Sequence, residues 1–396
     1  MTRGRYNARM PDRSQLPPWL WPRAAYIHVP FCAHHCGYCD FAVAAGQDHL
    51  IDLYIEAVGE EMARLGDPVA VDTIFIGGGT PTYPSPAQLT RLLTTINRWL
   101  TLRSGGEFSV EATPESVTAE KVAVMAHHGV TRVSLGVQSF RPAMLSALDR
   151  VHSADQVAPA VERIRRRIGD VSLDLIFGVP GQTVAEWDAD LTAALALRPD
   201  HLSTYGLTYE KGTPLWKRRE HGQVQAVSED DELAMYIHAM ERLSASGFEQ
   251  YEVSNFARPG RRCRHNETYW ANEAYFGFGV GAARYVMGRR ELNRRGTDDY
   301  IRRVLAGESP VQQSEELPPE ESARETAAVQ LRRSAGIARK RFREQTGFDV
   351  DSLTGGRIAA YVVEELLMDD GMTIRLTPRG RCVVDALVVK VVWGPH

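Results

Sequence analysis

Tyr26-Ile27-His28-Val29-Pro30-Phe31-Cys32-Ala33-His34-His35-Cys36-Gly37-Tyr38-Cys39-Asp40-Phe41 is the stretch on which the reading of the fold turns. Its opening, Ala24–Val29, is a β-rich run that stops at Pro30, a residue that cannot donate to a sheet ladder. Directly after it come three cysteines spaced CxxxCxxC. Thiolate is the soft ligand that iron–sulfur chemistry selects. One loop carrying three of them suits a [4Fe–4S] cluster and leaves one iron open to a small molecule with an amine and a carboxylate. A zinc site completed by His34 or His35 is the alternative. Cys263 and Cys382 stand alone, so no second ligand pair is evident, and five cysteines is an odd total unlike a secreted disulfide scaffold.

Working outward, short β-rich runs alternate with helix-periodic segments from Ala24 to about Leu207. The strand candidates are Ala24–Val29, Thr73–Ile76, Glu107–Glu111, Arg132–Leu135, Ser172–Phe177 and His201–Leu207. Between the first two, Ile51, Ile55, Val58, Met62 and Leu65 recur at helical spacing. Segments 87–99, 119–128 and 184–196 read as further crossover helices. Such alternation implies about six parallel βα units, whose chemistry collects just beyond the C-terminal ends of the strands.

Past Leu207 the rhythm changes. A helix is expected over 230–246, then an aromatic, Gly-rich stretch from Tyr251 to Tyr285. Gly277, Gly279 and Gly281 there form GxGxG without a nucleotide-binding βα context. The acidic run 315–321 reads as a junction, followed by helices near 323–333 and 357–368 and strand-like runs at 372–377 and 382–388. The expected domains are a flexible N-terminal arm (1–23), a βα barrel (24–225), an extension (226–314) and a small winged-helix-like domain (315–396).

Forty-six basic against fifty acidic residues give a net charge of −4, so no global basic field exists to hold nucleic acid. The most apolar stretch near the C-terminus, Ala386–Trp393, is broken by Lys390 and too short to span a bilayer. The N-terminal residues carry Arg3, Arg5, Arg9, Arg13 and Arg23 but no apolar signal core. These features point to a cytoplasmic protein with neither a nucleic-acid partner nor a membrane-integral segment.

CxxxCxxC after the first strand, with Tyr38 before the third cysteine, resembles the radical S-adenosylmethionine (SAM) superfamily. The resemblance implies a partial (β/α)6 barrel, of α/β class, whose [4Fe–4S] cluster on Cys32, Cys36 and Cys39 reductively cleaves SAM to a 5′-deoxyadenosyl radical. Later strand ends agree. Gly77-Gly78-Gly79-Thr80 ends the second strand, where bare backbone lets a ligand approach closely; in the family this segment receives the methionyl amine. Glu111 ends the third strand, where the resemblance implies a contact to the ribose hydroxyls. Gln138, Arg150 and Asp174 match positions that touch SAM in the coproporphyrinogen-oxidase branch, and Tyr26 matches an aromatic near the cluster.

The Pro180-Gly181-Gln182-Thr183 block, Tyr251-Glu-Val-Ser-Asn-Phe256 and His265-Asn266-Glu-Thr-Tyr269-Trp270 resemble one subgroup, the oxygen-independent coproporphyrinogen oxidases and their heme-chaperone relatives. Three features lean to the chaperones, the short arm before the first strand counting least because termini vary freely. The oxidase carries a fourth cysteine two residues after the third, and here that residue is Phe41. HNxxYW is typical of the chaperone group, where its histidine, here His265, is implicated in heme binding. From residue chemistry alone, His265 reads rather as a hydrogen-bonded structural histidine among core aromatics, a preference that the resemblance reverses. The resemblance thus implies heme, a heme-acceptor protein, a reducing partner and possible pairing into a homodimer, with oxidative decarboxylation of coproporphyrinogen III as the alternative. Thr113 and Asp149 depart from the family pattern, where Asn and Gly are common.

Overall fold

The computed structural model describes residues 16–394. Seven parallel strands make its centre: β1 (Ala24–Val29), β2 (Val69–Gly78), β3 (Leu100–Ala112), β4 (Arg132–Gln138), β5 (Asp170–Phe177), β6 (His201–Gly206) and a late strand, β9 (Tyr275–Phe278). β9 pairs in parallel with β1, on the side away from β2. Two short strands, β7 (Glu249–Gln250) and β8 (Asn255–Ala257), finish the β6 side. Beyond β9, β10 (Ala283–Val286), β11 (Arg289–Asn293) and β12 (Val311–Glu316) add antiparallel strands. The twelve strands run β12-β11-β10-β9-β1-β2-β3-β4-β5-β6-β8-β7, an open curved sheet.

Side-chain alternation explains which face does what. On β5, Val171, Leu173 and Leu175 are buried under the surrounding helices, while Ser172 and Asp174 take the opposite face. On β3, Phe108 and Val110 alternate with Ser109 and Glu111 in the same way. The outer face is therefore apolar and the concave face polar, an arrangement that builds a site rather than a filled barrel.

The Gly-rich stretch of the extension is a strand and its turn, not a phosphate loop. A Cβ on Gly277 would collide with the backbone of Ala283, and Gly279 (φ +98) passes against the Tyr54 hydroxyl. Glu61, on the helix Ile51–Ala63, pins this turn: its buried carboxylate accepts Gly279 N (2.8 Å), Tyr300 OH (2.6 Å) and Asn293 Nδ2 (2.7 Å). Three donors offset its desolvation.

The C-terminal region has its own core, including Leu331, Phe342, Ile374, Leu376, Leu387 and Val391, under a three-stranded sheet of Ile337–Ala338, Leu367–Asp369 and Thr373–Leu376. Two expectations fail here. The helix expected over 357–368 ends at Val363, because Leu367–Asp369 pairs with Thr373–Leu376 as a strand. The strand-like run 382–388 is helical, spanning the end of Pro378–Cys382 and the start of Val384–Val392. Its valines suggest a strand, but the buried residues Val384, Leu387, Val388, Val391 and Val392 recur at helical spacing, and that period decides. The acidic run 315–321 is also divided: Glu315 and Glu316 end β12, and the helix Pro319–Leu331 begins three residues later. Residues 1–15 of the expected flexible arm lie outside the described residues. From Leu16 on the chain packs down, with Trp21 buried edge-on against Phe276 (5.9 Å).

Candidate functional site

The cysteine loop hangs from the C-terminal end of β1. Phe31–Cys32 pairs in parallel with Ala44–Ala45, drawing the intervening residues into a loop. Within it Cys39 N donates to Cys36 O (3.2 Å), and Leu215 N donates to Gly37 O (2.8 Å). Gly37 has no room for a side chain. A Cβ there would strike the Asp149–Arg218 ion pair (2.6 Å), which closes over the loop.

All three thiols are half-buried. Cys32 Sγ lies 3.4 Å from Thr80 Oγ1, and Cys36 Sγ accepts Arg150 Nη1 at 3.5 Å. Burial pushes the Cys32 thiol up to about 11 and raises that of Cys39. Such thiols stay protonated until a metal displaces the proton. Among the described residues no three His, Cys, Asp or Glu side chains converge closely enough to ligate a single ion. His35 Nε2 is paired with Cys39 O (3.1 Å). Three thiols from one loop are the soft donor set that fits a [4Fe–4S] cluster.

Beside the loop, β2 ends in glycines that approach their neighbours closely. Gly79 N donates to Val29 O and Thr80 N to Phe31 O, both at 2.8 Å. Gly78 has φ +113, and a Cβ on it would meet the His28 ring at 2.5 Å. A Cβ on Gly77 would meet the Glu111 carboxylate at 2.8 Å, and Gly78 N donates to Glu111 Oε2 (2.9 Å). Any side chain would fill this floor.

Glu111 and Asp174 are carboxyls on the polar face. Burial, then the Asp174 charge, lifts Glu111 to about 8; burial lifts Asp174 to about 6, opposed by the hydroxyls of Ser203, Ser134 and Ser172. Ser134 Oγ donates to both Asp174 oxygens, at 3.0 and 2.9 Å. Gln138 ends β4 at a register shift and holds φ +63, unusual for a non-glycine residue. Arg150 Nη2 donates to Gly136 O (3.0 Å) beside it. Tyr38 packs with Met144, Leu148 and Leu215 beneath the loop. Tyr26 OH is 3.0 Å from His28 Nδ1, and His28 Nε2 is 2.9 Å from Ala42 O. The structure thus gathers Cys32, Cys36, Cys39, Tyr38, Gly77, Gly78, Gly79, Thr80, Glu111, Gln138, Arg150 and Asp174 around one mouth, with Tyr26 just below.

His265 is elsewhere. It sits on the helix Arg264–Trp270, which plugs the opposite end of the strands. Its Nδ1 pairs with Thr73 Oγ1 (2.9 Å), four residues and about 13 Å before Gly77 along β2. Its Nε2 pairs with Tyr269 OH (2.8 Å), and its ring stacks on Phe75 at 5.1 Å. Burial holds it down to about 3, so the imidazole is neutral with both nitrogens engaged. Around it Glu107 accepts Arg264 N (3.0 Å), Cys263 Sγ (3.4 Å) and His265 N (3.3 Å), and Arg132 donates to Asp170 (3.0 Å) and to Arg261 O (2.7 Å). Cys263 donates to Glu107 and is not free to ligate. The sequence reading missed Thr73 and Glu107 as partners of this plug; only their inward alternation on β2 and β3 signals it.

Residues 26–194 match the radical SAM superfamily and residues 317–383 the HemN C-terminal domain. A Bacillus subtilis protein named heme chaperone HemW is 39% identical over 91% of this chain and 96% of its own length. This chain belongs to the HemW family of radical SAM proteins. A Mycobacterium tuberculosis HemW is 37% identical over 93% of this chain and 94% of its own length. Bovine mitochondrial radical S-adenosyl methionine domain-containing protein 1 is 32% identical over 93% of this chain and 87% of its own length. In fold, the chain matches Escherichia coli coproporphyrinogen III oxidase (HemN) with a TM-score of 0.83, at 20% identity, over 96% of this chain and 92% of that one. No helix among the described residues is long and apolar enough to cross a membrane.

Proposed function

We propose that the protein is a cytoplasmic heme chaperone that binds heme and passes it to an acceptor protein, with a [4Fe–4S] cluster and SAM held at the mouth of the sheet. The observation that carries this reading is the near-full-length match to proteins named heme chaperone HemW, joined to Phe41 at the position of the oxidase's fourth cysteine. Phe41 is 62% exposed and carries no metal-ligating atom.

Cys32, Cys36 and Cys39 hold the cluster, which, when bound and reduced, supplies an electron to the sulfonium of SAM. The backbone at Gly77–Gly79 and Thr80 lines the site for the methionyl part. Glu111 accepts the ribose hydroxyls, and Gln138, Arg150 and Asp174 close around the ligand. Tyr26 and Tyr38 support this floor from below and behind. A reducing partner and pairing of two chains belong to the same reading.

His265 becomes a heme ligand only after one ring nitrogen is released: Nε2 by loss of the Tyr269 hydroxyl contact within its own helix, or Nδ1 by that helix leaving Thr73. Imidazole is an ordinary axial ligand for heme iron once free. The deciding experiment is an anaerobic assay of cluster-loaded protein with SAM, reductant and coproporphyrinogen III, beside a heme titration. The chaperone reading expects no protoporphyrinogen and saturable heme binding. Turnover matching an authentic oxidase overturns it.

A further inference from the structure

Arg150 and His152 stand two residues apart in a segment outside any helix or strand, and both are drawn into the protein while Val151 between them is 60% exposed. The His152 side chain is wholly out of solvent (0% exposed). Its two nitrogens have separate partners. Nε2 lies 3.0 Å from Val137 O, a carbonyl that can only accept, so that nitrogen carries the proton. Nδ1 is then the lone-pair nitrogen, and Arg150 Nε donates to it at 3.4 Å. Burial, then the neighbouring Arg150 charge, pulls His152 down to about 4, which keeps this neutral tautomer. Glu115 Oε2, at 4.0 Å from Nδ1, is the nearest carboxylate.

A guanidinium presents its donors in one rigid plane, so anchoring Nε sets the direction of the other two nitrogens. Held this way, Arg150 spends Nη2 on Gly136 O (3.0 Å) and Nη1 on Cys36 Sγ (3.5 Å). Gly136 lies at the β4 register shift beside Gln138, so the same plane touches both the cysteine loop and the strand end that borders the mouth.

We propose that His152 is a positioning residue for the cofactor site: its Nδ1 lone pair fixes the Arg150 guanidinium where it meets Cys36 and bound SAM. This rests on Arg150 being a SAM contact, as read above. Asn and Gln separate the two duties of the imidazole. His152→Asn places an oxygen where Nδ1 was, keeping the acceptor for Arg150. His152→Gln places its NH2 near the old Nε2, keeping the Val137 bond and losing that acceptor.

The test measures SAM binding to cluster-loaded protein by equilibrium dialysis, together with the change in the reduced cluster's EPR spectrum on adding SAM. Only preparations with wild-type cluster absorbance are compared. The expected result is His152→Gln weakened about tenfold, the worth of one charge-assisted hydrogen bond, and His152→Asn within about threefold of wild type. In an Arg150→Ala background the two His152 variants bind alike, because a residue acting through Arg150 has nothing left to act on. Arg150→Lys, which keeps the charge but loses the Nε donor, gives an independent check and reproduces the His152→Gln loss. Equal losses for Asn and Gln, or a Gln effect that adds in full to Arg150→Ala, overturn the proposal and leave His152 a packing residue. Wild-type protein that carries the cluster but binds no SAM overturns the cofactor reading itself, a distinct failure.

Discussion

The two ends of the central strands are built from similar residues and left in opposite states. At the C-terminal end, thiols are half-buried, backbone is bared by Gly77–Gly79, and burial pushes two carboxyls up, Glu111 to about 8 and Asp174 to about 6. At the N-terminal end, Thr73, Glu107, Arg132 and His265 are also buried and polar, but they are interlocked by hydrogen bonds and an ion pair within the chain. A polar group that costs desolvation and finds few internal partners marks a place where a ligand completes the pairing. The same types of group, tied mostly to one another, mark a structural seal, even with Arg132 Nε and Nη1 held only by charge beside Glu107 and Asp170.

The sharpest way to break this comparison is at the mouth. Cys36→Ala removes one of the three thiols proposed to hold the cluster and is expected to abolish the cluster's visible absorbance after anaerobic reconstitution, while far-ultraviolet circular dichroism stays unchanged. A retained full-strength cluster would mean the loop is not its seat.

At the seal, the comparison is sharpened by Tyr269→Phe, which frees Nε2 of His265 at a stability cost of about 1 kcal/mol. If His265 serves heme, the variant binds heme more tightly and His265→Ala binds it several-fold more weakly, each by titration of the Soret band. If the helix is only a seal, both variants lower the melting temperature and neither changes heme affinity.

A smaller effect concerns protons. Glu111 and Asp174 are raised to about 8 and about 6, above the values near 4 of an unfolded chain. The folded, ligand-free protein therefore holds protons that the unfolded chain releases. Stability from this source is present below about pH 4 and is lost as pH rises through 6 and then 8. SAM, whose hydroxyls donate to ionised Glu111, should bind more tightly as pH rises from 6.5 to 8, by at most about tenfold per pH unit and proton released. Calorimetry in two buffers of different ionisation enthalpy counts that proton; Glu111→Gln should bind more weakly and release fewer.

The smallest expected effect is Asp149→Gly. Asp149 has φ +54, so glycine there relieves left-handed strain of about 1 kcal/mol. It also removes the Arg218 ion pair, one-third exposed and worth under about 1 kcal/mol. Thermal stability should stay within about 1 kcal/mol of wild type, while the cluster, with its loop unclamped, should bleach faster in air. An unchanged bleaching rate would show that the clamp does not guard the loop.

Most of the mouth is legible in the sequence because it is built from local patterns. CxxxCxxC, the triple glycine and the strand-end Glu111 are each contiguous or tied to one element, and their position after a strand follows from βα alternation. The C-terminal helix Val384–Val392 was less legible, since valine composition and helical spacing give opposite signals there. The strand β9 was harder still. Tyr275–Phe278 gains its place beside β1 from partners more than two hundred residues away, among them the buried Glu61.

By itself, then, the sequence determined the order of βα units, the three thiolates and the family to which they belong, because those depend on spacing along the chain. Only the tertiary structure decided that His265 faces the floor and not the mouth, that β9 joins the parallel sheet, and that His152 stands behind Arg150. Each of these depends on which residues distant in sequence share one buried layer. A ring nitrogen taken by Thr73, Tyr269 or Val137 leaves no trace in the spacing of a histidine.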